Sequence, residues 1–140
     1  MARMEAGVLA NARDRPDAIA LRLDDQQLTY AELDHAARTL AHALHGLGVR
    51  RGDRVCVLVP NSFEYFEALH ACGRLGTVAV PINVHFKADE AGWIVSDSGA
   101  TAVVVARDLL PALASVPDVP RLVVEDGWPD IFRNLTGPAA

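Results

Sequence analysis

Apolar residues along this chain follow two different rhythms, and the places where the rhythm changes mark out its elements. Between Ala18 and Leu23 apolar positions alternate; a polar run Asp24-Asp25-Gln26-Gln27 and then Leu28 follow, which predicts a small hairpin with its turn in the polar run. Thr29 is followed three residues on by Glu32, a capping box in which each side chain meets the other residue's free backbone N–H. A helix should therefore begin at Tyr30, with Leu28 and Leu33 placed to staple its start. Inside it Leu33, Ala37, Leu40, Leu44 and Leu47 recur at helical spacing as one narrow apolar stripe, leaving Asp34, His35, Arg38, His42 and His45 on the other side.

Beyond Arg54 the rhythm becomes that of strands covered on both faces. Val55-Cys56-Val57-Leu58-Val59 is continuously apolar, as in a buried parallel sheet. Asn61 and Ser62 are N-cap candidates for a helix over Phe63–Leu75, with Glu64 and Glu67 early, where the helix dipole favours acids. Thr77–Val80 reads as a second strand closed by Pro81, and a helix is expected around Lys87–Asp97. Thr101–Ala106 reads as a third strand, followed by a short helix and a fourth strand at Arg121–Val124.

Strands separated by helices of this length are βαβ units. The expected fold class is α/β, an open parallel sheet preceded by a long amphipathic helix and a small hairpin. Five of the eight prolines lie after residue 110, and residues 125–140 read as an irregular tail. The 140 residues are thus expected to form a single, partial domain.

Composition narrows the function classes. Half of the residues are hydrophobic and 22% are charged, a globular profile, while the net charge of -5 leaves no basic stripe for nucleic acid or an anionic membrane surface. No apolar run has the length of a membrane span or of a signal-peptide core, so a cytoplasmic protein is expected, with no nucleic-acid partner and no integral membrane segment. Cys56 and Cys72 each sit in an apolar run outside any C-x-x-C pair, as reduced buried thiols do. The Asn134-Leu135-Thr136 sequon carries no weight without a secretory signal.

Three glycines, Gly46, Gly48 and Gly52, have a spacing close to the dinucleotide fingerprint. A dinucleotide loop leaves a strand and enters a helix, so that glycines admit the pyrophosphate to the helix N-terminus. Here the expected order is helix, then strand. Nor does a following strand end carry an acid placed for a ribose, since Val78 to Pro81 ends in Asn83 rather than Asp or Glu. Of the helix histidines only His42 and His45 have a reachable spacing for a shared metal, and no carboxylate or cysteine at i+3 or i+4 completes a site. No metal ligand is assigned.

Taken in order, "RPDAIAL", "LTYAELDHAARTLAHALHGLGVRRGDRVCVLVPNSFEYFEALHACGRLGTVAVPIN" and "ADEAGWIVSDSGATAVVV" resemble the N-terminal region of AMP-forming acyl-CoA synthetases, the adenylate-forming superfamily. The likeness runs from about Pro16 to Ala106. "LTYAEL" resembles the first core motif, and Gly76, Pro81 and Asn83 match the second; Leu75 stands where alanine is common, and Asp24-Asp25 lacks a frequent glycine.

The resemblance implies ATP-dependent activation of a carboxylic acid to an acyl-adenylate with release of pyrophosphate, then acyl transfer to CoA. It implies ATP, Mg²⁺ and CoA for a full-length parent and none bound by this fragment alone. The family's Ser/Thr/Gly-rich loop ending in Lys, its aromatic-Thr-Glu motif, its ribose-binding Asp and its C-terminal Lys have no counterpart in these 140 residues, whose only lysine is Lys87 in "HFKADE". The expected partners are the remainder of the enzyme and a carboxylic acid, with a medium- or long-chain fatty acid as first choice.

Ligands of open parallel sheets bind beyond the carboxyl ends of the strands. Those ends are Pro60-Asn61-Ser62, Pro81 to Phe86, and Arg107-Asp108. Asn61, Ser62, Asn83 and His85 are the substrate-binding candidates there, Asn61 and Ser62 being also the helix caps; no catalytic residue is assigned. The helix bearing Phe63, Tyr65, Phe66, Leu69 and Cys72 is apolar most of the way round, with Glu64, Glu67, His70 and Arg74 as a polar wedge. It reads as core, or as one edge of an acyl tunnel in a complete enzyme. A stand-alone interaction module and a small dinucleotide-binding domain are the alternatives.

Overall fold

A helix that opens on a capping box and a strand that is apolar throughout set the frame of the molecule. In the computed structural model, which describes residues 7–86 and 88–124, helix α2 spans Tyr30–Gly46. Its Thr29 Oγ1 accepts from the Glu32 N–H at 3.1 Å while Glu32 Oε1 accepts from the Thr29 N–H at 2.9 Å. Ahead of it lie a short helix α1 (Val8–Asp14), for which the sequence carries no clear start signal, and the hairpin strands β1 (Ile19–Leu23) and β2 (Gln26–Thr29). The hairpin turn is tighter than its polar run: Gln26 and Gln27 pair with Leu23 and Arg22, so that only Asp24 and Asp25 turn, with Asp24 at φ 53°.

The parallel sheet holds β3 (Arg54–Leu58), β4 (Val78–Pro81), β5 (Ala102–Ala106) and β6 (Arg121–Val124) in the order β4-β3-β5-β6. Between them run α3 (Phe63–Leu75), α4 (Ala88–Ser98) and a 3₁₀ helix at Arg107–Leu113. All three pairings are parallel, with Val57 beside Pro81 on one side and Val104 on the other. Pro81 thus ends a strand at the sheet's edge, where its missing N–H breaks no ladder bond. Lys87, residues 125–140 and the sequon lie outside the described residues.

Alternate residues of the two central strands face opposite ways, which separates two cores. Val55, Val57, Val59, Ala102 and Val104 pack with Leu40 and Leu44 of α2 and Ala68, Ala71 and Cys72 of α3. Cys56, Leu58, Val103 and Val105 pack with Ala91 and Val95 of α4 and with Leu113. Burial pushes both thiols up from their ordinary value, against smaller lowering contacts from Ser98 at Cys56 and Thr77 at Cys72.

The glycine-rich stretch resolves as a helix-to-strand connection. α2 runs through Gly46, and Gly48 takes the left-handed turn after it at φ 98°. Asp53 Oδ2 then accepts from the Arg50 N–H at 2.8 Å and closes the turn into β3. Among the described residues these glycines follow a helix and precede a strand, the reverse of the strand-to-helix order of a dinucleotide loop.

Two residues assigned by periodicity to polar faces are buried instead. Asp34 is covered where α3 lies against α2, its Oδ1 accepting from Arg74 Nη1 at 2.9 Å and its Oδ2 from Arg38 Nη2 at 3.1 Å. Glu67, placed in the polar wedge of α3, is likewise buried. Among the described residues no helix is long and apolar enough to cross a membrane.

Candidate functional site

The chain leaves β3 toward the face that carries α3 and leaves β4 toward the face that carries α4. Neighbouring strands whose connections part in this way leave a crevice beyond their carboxyl ends. A cleft of about 720 Å³ lies there, with Val59, Pro60, Asn61 and Tyr65 on one side and the run from Pro81 to His85 on the other.

Local chemistry shapes both rims. Ser62 is extended at φ -167° and caps α3, its Oγ accepting from the Tyr65 N–H at 3.2 Å and donating to the Pro60 carbonyl at 2.9 Å. Its one O–H donor is therefore spent on the cap, and Ser62 does not line the cleft. Asn83 Oδ1 accepts from the His85 N–H at 2.9 Å, and the Asn83 carbonyl accepts from the Phe86 N–H at 3.1 Å, which folds the exit from β4 into a tight turn. That turn leaves the Asn83 amide N–H₂ and the His85 imidazole exposed at the rim.

Of the four candidates, Asn61, Asn83 and His85 come together on this cleft, and Ser62 does not. Arg107 and Asp108, at the third strand end, stand outside it. Tyr65 is the wall residue that reading by pattern placed among core aromatics. Its position three residues after the Ser62 cap, on the first turn of a helix that starts at a strand end, is the signal that locates it. Its ring also stands edge-on to Phe66, with centroids 5.3 Å apart.

A second cleft of about 480 Å³ lies between the hairpin turn and the start of α3, lined by Asp24, Asp25, Gln26, Asn61, Ser62 and Glu64 among others. Asn61 stands between the two clefts and borders both.

The 720 Å³ cleft offers an apolar floor, neutral hydrogen-bonding groups and one imidazole. Such a surface can seat and orient an uncharged or amphipathic group. Among the described residues no Lys or Arg lines it, and no group of three or more His, Cys, Asp and Glu side chains could hold a metal ion. The residues present therefore do not fit Mg²⁺ or a triphosphate, and no chemical step through either is derived from them.

A family model described as AMP-binding enzyme matches residues 8–135. A feruloyl-CoA synthase from Amycolatopsis sp is 44% identical over 93 residues, which is 66% of this chain and 19% of that protein. A long-chain-fatty-acid–CoA ligase, FadD13, from Mycobacterium tuberculosis is 38% identical over 92 residues, 66% of this chain and 18% of that protein. The structure of an O-succinylbenzoate coenzyme A synthetase from Bacillus subtilis, solved with AMP, superposes with a TM-score of 0.80 at 28% identity, covering 95% of this chain and 33% of that one. The chain spans about a fifth of the length of the curated relatives it matches.

Proposed function

The chain belongs to the AMP-binding enzyme family, and on that premise we propose that it is the N-terminal part of an ATP-dependent, AMP-forming acid–CoA ligase. The observation that carries this reading is the family match over residues 8–135, which takes in the hairpin, α2 and the whole described sheet. The proposed overall reaction joins a carboxylic acid to CoA through an acyl-adenylate, with release of pyrophosphate and AMP. The relatives' names support an acid carrying an apolar group, either a feruloyl-type or a long-chain fatty acid.

Within that reading Asn61, Asn83 and His85 contact a ligand or a neighbouring segment at the strand-end cleft, and Ser62 holds the start of α3 in place. ATP, Mg²⁺ and CoA are to be held by segments other than these 140 residues, which form the structural partner of the rest of the enzyme in the cytoplasm. The 140-residue chain by itself should not turn over.

The test is acid-dependent pyrophosphate release from ATP, measured with ferulate and a series of fatty acids. It compares the product of the full coding sequence with the 140-residue chain. Release by the longer product and none by the shorter is expected. Failure of every acid with the longer product would remove the ligase reading, and turnover by the shorter would remove the claim of incompleteness.

A further inference from the structure

A third pocket, of about 210 Å³, lies between α1, α2 and α3 and shares no residue with the strand-end cleft. Val8, Leu9 and Ala37 make an apolar wall, and Asp34, His70 and Arg74 make a polar one. Leu9 is 65% exposed, so the apolar wall reaches the surface as a lip.

Donors outnumber acceptors on the polar wall. Both oxygens of Asp34 are taken, one by Arg74 and one by Arg38, which stands outside the pocket lining, so the wall has no free carboxylate acceptor although its charges balance. A guanidinium has five N–H donors. Arg74 gives one to Asp34, and the remainder meet no acceptor among the described residues. The ring of His70 makes no hydrogen bond among the described residues either. Burial holds its imidazole below the ordinary value, so at neutral pH it is uncharged and offers one N–H and one lone pair.

An excess of donors beside an apolar wall calls for a ligand with an anionic, acceptor-rich head and a hydrocarbon body. We propose that this pocket binds a monocarboxylate with a short hydrocarbon tail, its carboxylate on the free N–H groups of Arg74 beside His70 and its tail along Val8, Leu9 and Ala37. The size agrees: an apolar cavity of about 150 Å³ takes up benzene, and this pocket is somewhat larger at about 210 Å³. Guanidinium groups pair with carboxylates through parallel N–H···O bonds, which fixes the head group. Inorganic phosphate fits less well. It would leave the apolar wall wet and set its second charge close to Asp34.

The proposal is independent of the ligase reading, and its readout is local. The protein is titrated with butyrate and with hexanoate while the His70 ring signals are followed by NMR; hexylammonium and inorganic phosphate serve as comparison probes. A saturable shift of His70 is expected with hexanoate, weaker with butyrate and absent with hexylammonium. Arg74→Gln keeps a hydrogen bond available to Asp34 but removes the charge, and should weaken hexanoate at least tenfold. Leu9→Ser, at a position 65% exposed, should weaken hexanoate several-fold and butyrate less.

No saturable shift of His70, or the same midpoint in Arg74→Gln, would overturn the site. Phosphate acting as tightly as hexanoate would overturn the choice of ligand.

Discussion

Asp34 is where helical periodicity and packing part company. It follows Leu33 directly, at the border of the apolar stripe of α2, and becomes buried only because α3 lies over that border and brings Arg74 to it from 40 residues away. Nothing within the helix signals that partner, so the carboxylate reads as solvated until the two helices are placed together. Asp34→Asn leaves two guanidinium groups facing a neutral amide. Because the Arg38 and Arg74 side chains keep 42% and 28% of their surface exposed, the loss should lie between that of a surface pair and that of a fully buried one, roughly 1–3 kcal/mol by urea unfolding. His70 makes a separate prediction in pH. Its imidazole is held below the ordinary value of 6.5 by burial, so as pH falls through 6.5 the unfolded chain takes up a proton before the folded one does. Stability is then fully present above 6.5 and is lost progressively on acidification toward the depressed folded value. His70→Gln should flatten the fall in urea midpoint as the pH drops below 6.5; an unchanged slope would show that other groups govern that fall.

At the scale of elements, what is legible is what is locally determined. α2 starts at Tyr30 and α3 runs over Phe63–Leu75 as expected, because the capping side chains Thr29, Glu32 and Ser62 stand within three residues of the N–H groups they satisfy. The hairpin turn is not fixed by its pattern, since a run of four polar residues does not say which two of them turn; the positive φ of Asp24 and the pairing of Leu23 with Gln26 decide it. α1 has no side-chain cap and is seven residues long, so its support comes from packing against α2, which no local pattern announces. The end of α3 makes a prediction of two signs. Gly73 lies inside the helix with open space where a Cβ would stand, so Gly73→Ala should stabilise by roughly 0.5–1 kcal/mol through helix propensity. Gly76, three residues on, ends the helix at φ 73°, and a Cβ there would stand 3.1 Å from Arg51 Cγ. Gly76→Ala should therefore cost about 1–2 kcal/mol. Thermal unfolding of the two variants against the parent chain checks both signs at once.

At the scale of the whole molecule, the strand set and its parallel sense were legible while the order was not. Each strand from Val55 onward carries its own apolar run, but whether the chain steps left or right after β4 depends on which face α4 covers, a contact between distant segments. The same holds for the cleft. The strand-end rule points to Asn61, Asn83 and His85, which line the cleft, whereas only the folded loop shows Ser62 engaged in its cap and Tyr65 on the wall. Placing both cores on β3 and β5 has a consequence for the molecule's openings. Val55–Leu58 and Ala102–Val105 are buried on both faces and paired on both edges, so no partial opening frees their backbone. β4 is paired on one edge, with Val78 54% exposed, and the hairpin has one partner per strand and no fully buried residue. Native-state hydrogen exchange should then rank the amides in three tiers. The β3 and β5 amides should exchange only through global unfolding, those of β4 sooner, and those of β1 and β2 first, by orders of magnitude. Hairpin amides as slow as those of β5 would mean that the hairpin opens only with the sheet, and the two-core account of stability would have to be replaced by one that includes it.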